Sequence, residues 1–476
     1  MQSRVKKVWK KEKGTVREKI VVVSLFVLFL IAVSFPGVAA EKIESSDYTL
    51  SLTCGNCHTE IYYQWKGSMH SNSEKDPFYK AMFLLASKET DGLVDDFCPR
   101  CHAPVGLVSG EIPPVDGSNL SLIAQEGLIC DFCHTISGYT AESNGQYIPS
   151  PGEVKRGSYN DSISPFHETA YSDLHTRAEF CGSCHDIDHP VTGMPLETTY
   201  KEWKAGPYSK EGIQCQDCHM RQSPGTPATG STRRPDNPGK ACNIGPRRDN
   251  VFTHYFIGGN AFITDLLGAT EHRDMAIERL QNAAALDIEA PAVVRPGEEA
   301  IINILVTNNG AGHKIPTGLT DEREVWLDVT VTDAKGRVIF RSGFLDEEGN
   351  IEPDAVIYRT VLGDAEGKPT HKFWKATHVI SDYRIPPRET LLEEYSFKIP
   401  ENAKGPIKVE TKLNYRSAPQ ETLDMLFGKG EMEAPIIEMS KIETKVEVEG
   451  GAGFLVILIS ATLLLAVLAM IKYRKK

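Results

Sequence analysis

The sequence has 476 residues, enough for two or three domains with appendages, and a hydrophobic fraction of 41% that leaves most of it facing water. Its formal charge of −12 understates the acidity of the middle: with the twelve basic and two acidic residues of 1–40 and 453–476 set aside, residues 41–452 hold 40 basic and 62 acidic side chains, a net −22. So acidic a surface excludes nucleic acid and anionic lipid as partners and suits a cationic docking partner.

In chain order, the first element is a basic stretch followed by an apolar run from Ile20 to Val33 and small residues at Ala39 and Ala40. That succession predicts a secretory signal peptide over 1–40. At the other end, the 19 uncharged residues 453–471 are followed at once by "KYRKK", which predicts a C-terminal transmembrane helix with a cytoplasmic basic tail over 472–476. The expected localisation is the cell membrane, with everything between the two ends on the extracytoplasmic side.

Ten of the eleven cysteines form five C-x-x-C pairs, Cys54/Cys57, Cys98/Cys101, Cys130/Cys133, Cys181/Cys184 and Cys215/Cys218, each followed directly by a histidine: His58, His102, His134, His185 and His219. Zinc ribbons and redox dithiols give no reason for that histidine to recur. Covalent attachment of haem c does, since the thiols form thioethers and the next side chain binds iron from the proximal face. The expected cofactors are five haem c groups and their iron. Cys242 has no partner motif and reads as a free or intermolecularly paired thiol. Residues 41–285 supply 245 residues for five sites, 49 each, so the porphyrins must form much of the interior of a cytochrome domain over 41–286, mainly short helices and irregular chain.

Nine further histidines are candidates for the opposite iron faces: His70, His167, His175, His189, His254, His272, His313, His371 and His378. The segments "CGNCHTEIYYQWKGSMHS", "CPRCHAPVG", "EGLICDFCHTISG", "SPFHETAYSDLHTRAEFCGSCHD", "TYKEWKAGPYSKEGIQCQDCHM" and "THYFIGGNAF" resemble the multihaem c-type cytochromes related to the tetrahaem electron carriers of ammonia oxidisers, the cytochrome c-554-like family. That resemblance, over roughly residues 50–285, implies His70, His167, His175 and His254 as distal ligands. This chain departs from it in having five sites rather than four. His189, in a proline-bounded loop, is held in reserve, and His272 is expected as a solvated residue on an amphipathic helix over 261–286. Where the near-repeat of "YQWKGSMHS" would place a ligand, the chain has Tyr208; Trp65 and Trp203 are read as packing on porphyrin.

From Asp287 the pattern alternates apolar and polar residues, as in "AIINILVTNN" and "IKVETKLNYR", which predicts an antiparallel β-sandwich of immunoglobulin-like type over 287–445, followed by a linker at 446–452. Within it, "NNGAGHKIPTG" is anomalous. A similar loop recurs in β-domains fused to multihaem cytochromes, and it implies that His313 reaches out as the fifth distal ligand.

The fold class expected is therefore α + β multidomain: a multihaem domain, a β-sandwich and one transmembrane helix. The function expected is electron transfer along a row of five haems. Its partners would be a redox protein or membrane quinol oxidoreductase as donor and another multihaem cytochrome or extracellular acceptor. The alternatives are an oxidoreductase with one open catalytic haem, acting on nitrogen or sulfur oxides, and self-assembly into an extracellular filament.

Overall fold

The computed structural model describes residues 42–228 and 236–450. In the first half, regular structure is short. The longest helix, α2 (Pro77–Glu89), follows α1 (Thr59–Lys66); it starts where Pro77 takes the first helical position and the Asp76 carboxylate accepts the N–H groups of Phe78 and Tyr79. The other elements up to residue 260 are helices of three to seven residues and strands of two to four residues.

The helix expected over 261–286 is broken in two, α3 (Ala261–Leu266) and α4 (Thr270–Gln281), because Gly268 between them takes φ +75°. Its last residues are instead the first strand of the second half. His272 is buried rather than solvated, its Nε2–H donating to the Gln64 carbonyl at 2.7 Å.

The second half carries β1 (Ala284–Glu289), β2 (Val293–Val294), β3 (Glu299–Asn308), β4 (Glu324–Thr332), β5 (Val338–Ser342), β6 (Ile357–Gly363), β7 (His378–Tyr383), β8 (Thr390–Lys398), β9 (Ile407–Arg416) and β10 (Ile437–Val448). One sheet runs β8-β3-β1; the other runs β2-β10-β9-β4-β6-β7, with β5 also on β4. Inward residues of β3 (Ile302, Ile304, Val306), β4 (Val325, Leu327, Val329, Val331) and β9 (Ile407, Val409, Leu413) share one core. The period of two seen in the sequence is thus the burial pattern of these strands. The β2–β10 pair is parallel, so the larger sheet is mixed and not antiparallel throughout.

The expected fold class and localisation are corrected in one respect. No helix among the described residues is long and apolar enough to cross a membrane. The longest has 13 residues and spans about 20 Å at 1.5 Å per residue, short of the hydrocarbon core of about 30 Å. A mixed α/β chain with a β-rich C-terminal region is what the structure supports. The transmembrane helix placed at 453–471, the tail beyond it and the signal peptide over 1–40 all lie outside the described residues.

Aromatic packing joins the two halves. Met82, Phe83 and Ala86 of α2 share a core with Phe373 and Trp374 from the turn between β6 and β7. Over them, the Glu89 carboxylate pairs with Lys372 and Lys375, both at 2.6 Å, and accepts the Trp374 indole N–H at 3.1 Å.

Candidate functional site

Each cysteine motif lies on a helical turn. The backbone N–H of His58, His102 and His185 bonds to the carbonyl of the first cysteine of its motif, four residues back, and the other two motifs are contained in the helices Cys130–Thr135 and Cys215–His219. An i, i+3, i+4 spacing on such a turn puts both thiols and the imidazole on one face. All five faces line a single continuous cavity of ≈ 1770 Å³, above the usual range of about 300–1,000 Å³ for a small-molecule pocket. Thiols of different motifs meet across it: Cys54 with Cys130, Cys101 with Cys184, and Cys181 with Cys215.

The second ring nitrogen of every motif histidine is engaged. Nδ1–H donates to the carbonyl of Ala241 from His58 (2.7 Å), of Ser73 from His102 (3.2 Å), of Arg156 from His134 (2.6 Å) and of Ile257 from His219 (2.6 Å), while His185 meets the Glu197 carboxylate at 3.3 Å. A donor bond at Nδ1 fixes the tautomer that offers Nε2 as a metal ligand.

Distances between rings give an independent test. Metal–imidazole bonds of about 2 Å place two ligands of one ion with their ring centroids a little over 6 Å apart, by about two bond lengths plus two half-rings. His70 lies 6.2 Å from His185, His254 lies 6.4 Å from His134, and His313 lies 6.4 Å from His219. Burial pushes His70 and His254 down to about 3 and His102 to about 4, and also lowers His134, His219 and His313. All are held as the neutral imidazoles that ligation requires. His185 is the exception: burial opposes its charging, but Glu197 raises it to about 9.

Donor type, tautomer and spacing therefore fit haem c at the five motifs. Arg279 and Arg323, which line the same cavity, supply cationic groups suited to propionates.

Residues 53–135 match the family model described as cytochrome c554 and c-prime. A penta-haem cytochrome c552 from Thermochromatium tepidum is similar in structure, with 21% identity and a TM-score of 0.60 over 84% of this chain and 99% of that one. The chain thus shares the fold of a multihaem c-type cytochrome, and its family match is confined to residues 53–135. A CARDB domain from Pyrococcus furiosus (12% identity, 35% of this chain and 86% of that one) and a β-glucosidase from Listeria innocua (10% identity, 35% and 16%) have TM-scores of 0.17 and 0.16, which carry no argument about the β-rich region. No curated protein matches this chain.

The other histidines named from the sequence fall into distinct places. His175 lies 5.8 Å from His134, but both its nitrogens are engaged, Nδ1 with Ser172 Oγ at 2.8 Å and Nε2 with the Cys133 carbonyl at 3.0 Å. His167 is half-buried at the cavity wall, with Nδ1 on the Glu168 carbonyl at 2.9 Å. His189 is buried away from the cavity; its Nδ1 accepts the N–H groups of Val191 and Thr192 and its Nε2–H points to the Trp374 carbonyl at 3.4 Å. Among the described residues, no second histidine ring stands at such a spacing from His58 or His102; the plane of His102 is instead stacked on Tyr79 at 3.8 Å. Tyr208 is fully buried against Gly312, under the Arg388 guanidinium at 4.2 Å, and Trp65 and Trp203 line the cavity with their indole N–H groups tied to the carbonyls of Leu128 and Ile213. Cys242 lines the cavity too, next to the carbonyl that holds His58.

The loop carrying His313 is wired to both halves of the protein. Asn308 donates to the carbonyls of His313 and Ile385, and Ile315 exchanges two backbone hydrogen bonds with Ile385. On the other side the Lys314 N–H donates to Glu202 at 3.0 Å, beside the buried Glu202–Arg384 pair at 2.7 Å. Gly310 has to be glycine, because a Cβ there would stand 1.9 Å from the Asn282 carbonyl oxygen.

Proposed function

We propose that this cytochrome moves electrons through five covalently attached haem c groups. Cys54, Cys57, Cys98, Cys101, Cys130, Cys133, Cys181, Cys184, Cys215 and Cys218 would hold them, and His58, His102, His134, His185 and His219 would be the proximal ligands. The observation that carries this reading is the convergence of all five motif histidines on one cavity, three of them facing a second histidine at 6.2–6.4 Å. His70, His254 and His313 are the distal ligands it favours, opposite His185, His134 and His219.

Bound haem supplies the ferric/ferrous couple. The chain fixes the imidazole tautomers, keeps the rings of His70, His102, His134, His219, His254 and His313 neutral, and packs Trp65, Trp203 and Tyr208 at the cavity wall. Histidine on both faces, with no methionine favoured, gives low potentials. Glu197 on His185 strengthens that ligand and lowers its site further. The acidic surface suits docking to a cationic redox partner.

One observation favours a second reading. His102 has Tyr79 stacked on it and no facing histidine among the described residues, which suits an open site and substrate chemistry.

Low-temperature electron paramagnetic resonance of the oxidised protein, with haem counted by pyridine haemochrome, separates the two readings. The expected result is five haems, and one further iron converted to high spin in each of H70A, H254A and H313A. Unchanged spin states in all three variants would sink the ligand assignment. A native high-spin iron that responds to added nitrite or sulfite would put the enzyme first.

A further inference from the structure

A second cluster of metal-binding side chains lies outside the haem cavity. Asp321 and Glu322 sit in the loop from β3 to β4, eight and nine residues beyond His313, and His371 sits in the turn after β6. The two segments are held together by backbone and hydroxyl contacts. The Thr360 N–H donates to the Thr320 carbonyl at 3.3 Å, the Thr320 hydroxyl bonds to that of Thr360 at 2.7 Å, and the Thr370 N–H returns to the Leu362 carbonyl at 3.0 Å. One donor atom from each of Asp321, Glu322 and His371 lies within 4.8 Å of the other two.

Burial makes the cluster costly as it stands. Asp321 is 2% exposed and Glu322 0%. Asp321 Oδ2, both carboxylate oxygens of Glu322 and His371 Nδ1 have no hydrogen-bond partner. His371 Nδ1 stands 3.6 Å from Glu322 Oε1, beyond hydrogen-bonding distance. Neighbouring guanidinium groups are directed elsewhere: Arg323 donates to the Ser417 carbonyl, and Arg359 faces Glu324 at 3.9 Å. Two adjacent buried carboxylates without donors are not tolerated as bare charges.

We propose that Asp321, Glu322 and His371 bind one divalent transition-metal cation of the zinc type. Two carboxylates neutralise a dication, and a neutral imidazole with two carboxylate oxygens is a three-residue donor set for zinc. Calcium and magnesium, which take six or more oxygen ligands or keep their water, are poorly served by an imidazole and so few oxygens. The role is mechanical. The ion clamps the His313 loop to the turn whose Phe373 lines the haem cavity and whose Trp374 packs on α2. The proposal does not depend on the haem count or on what the cytochrome reduces.

The test uses the full haem-loaded protein. Elemental analysis, with iron counted separately, is expected to find one divalent transition metal per chain. After treatment with EDTA, zinc chloride titrated calorimetrically is expected to fill one site that millimolar calcium does not compete for. In the D321N/E322Q double variant, zinc affinity should fall by about 100-fold or more, with the haem absorption spectrum unchanged. If that variant does not fold, H371N gives the same readout from the more exposed edge of the site. The proposal is overturned by an absence of saturable zinc binding, by calcium occupying the site, or by zinc affinity that survives the substitutions.

Discussion

The two regions of this protein solve the problem of an interior in opposite ways. Residues 284–450 bury alternate side chains of paired strands and close a core from their own apolar side chains, aliphatic and aromatic. Residues 44–283 have helices of at most 13 residues and small apolar clusters, and their centre is the cavity lined by the five motifs. One region is folded by its own side chains. The other has its imidazoles and thiols arranged around a space that side chains do not fill.

The largest expected effect breaks this contrast from the haem side. In C130S/C133S, one haem should be lost by mass and the trypsin resistance of residues 44–283 should fall sharply, while the β-rich region survives as a protected fragment. Equal loss of protection in both regions would show that they share one folding unit. Next in size, L327A removes a fully buried side chain from β4, at a cost of about 2–5 kcal/mol. Chemical denaturation should show that loss while the haem spectrum in the native baseline is retained.

The smallest effect concerns the seam. E89Q removes the carboxylate shared by Lys372, Lys375 and Trp374, and because these groups are partly exposed the cost should be about 1 kcal/mol. Burial opposes the charge on Glu89, but the two lysines and the indole N–H bring it down to about 2. A carboxyl lowered on folding stabilises above its unfolded value of about 4.3 and loses that stabilisation as the pH falls toward 2. Wild type and E89Q should therefore differ in melting temperature at pH 6 and converge near pH 2.

The five thiol, thiol, imidazole faces were legible in the sequence, because their spacing on one helical turn is a local matter. The β-strands were legible for the same reason, since Ile302, Ile304 and Val306 announce a buried face by alternation. Less was visible wherever partners are distant. His70, His254 and His313 could be named as candidates, but only the fold sets each opposite a particular motif. His175, a candidate from the resemblance, and His189, held in reserve, both have both nitrogens engaged in the structure. His272 read as solvated, yet Gln64, more than two hundred residues away, holds it in the interior. The Asp321–Glu322–His371 cluster carries no spacing signal, because its members come from two loops about fifty residues apart.

By itself, the sequence determined where covalent chemistry can occur and which half builds an aliphatic core, since both follow from periodicities of two to four residues. Only the tertiary structure decided which imidazoles face one another, which are satisfied by carbonyls, and how the loop of "NNGAGHKIPTG" reaches from the β-rich region to His219. Those outcomes depend on contacts between segments tens to hundreds of residues apart, fixed by packing and hydrogen bonding that no local pattern encodes.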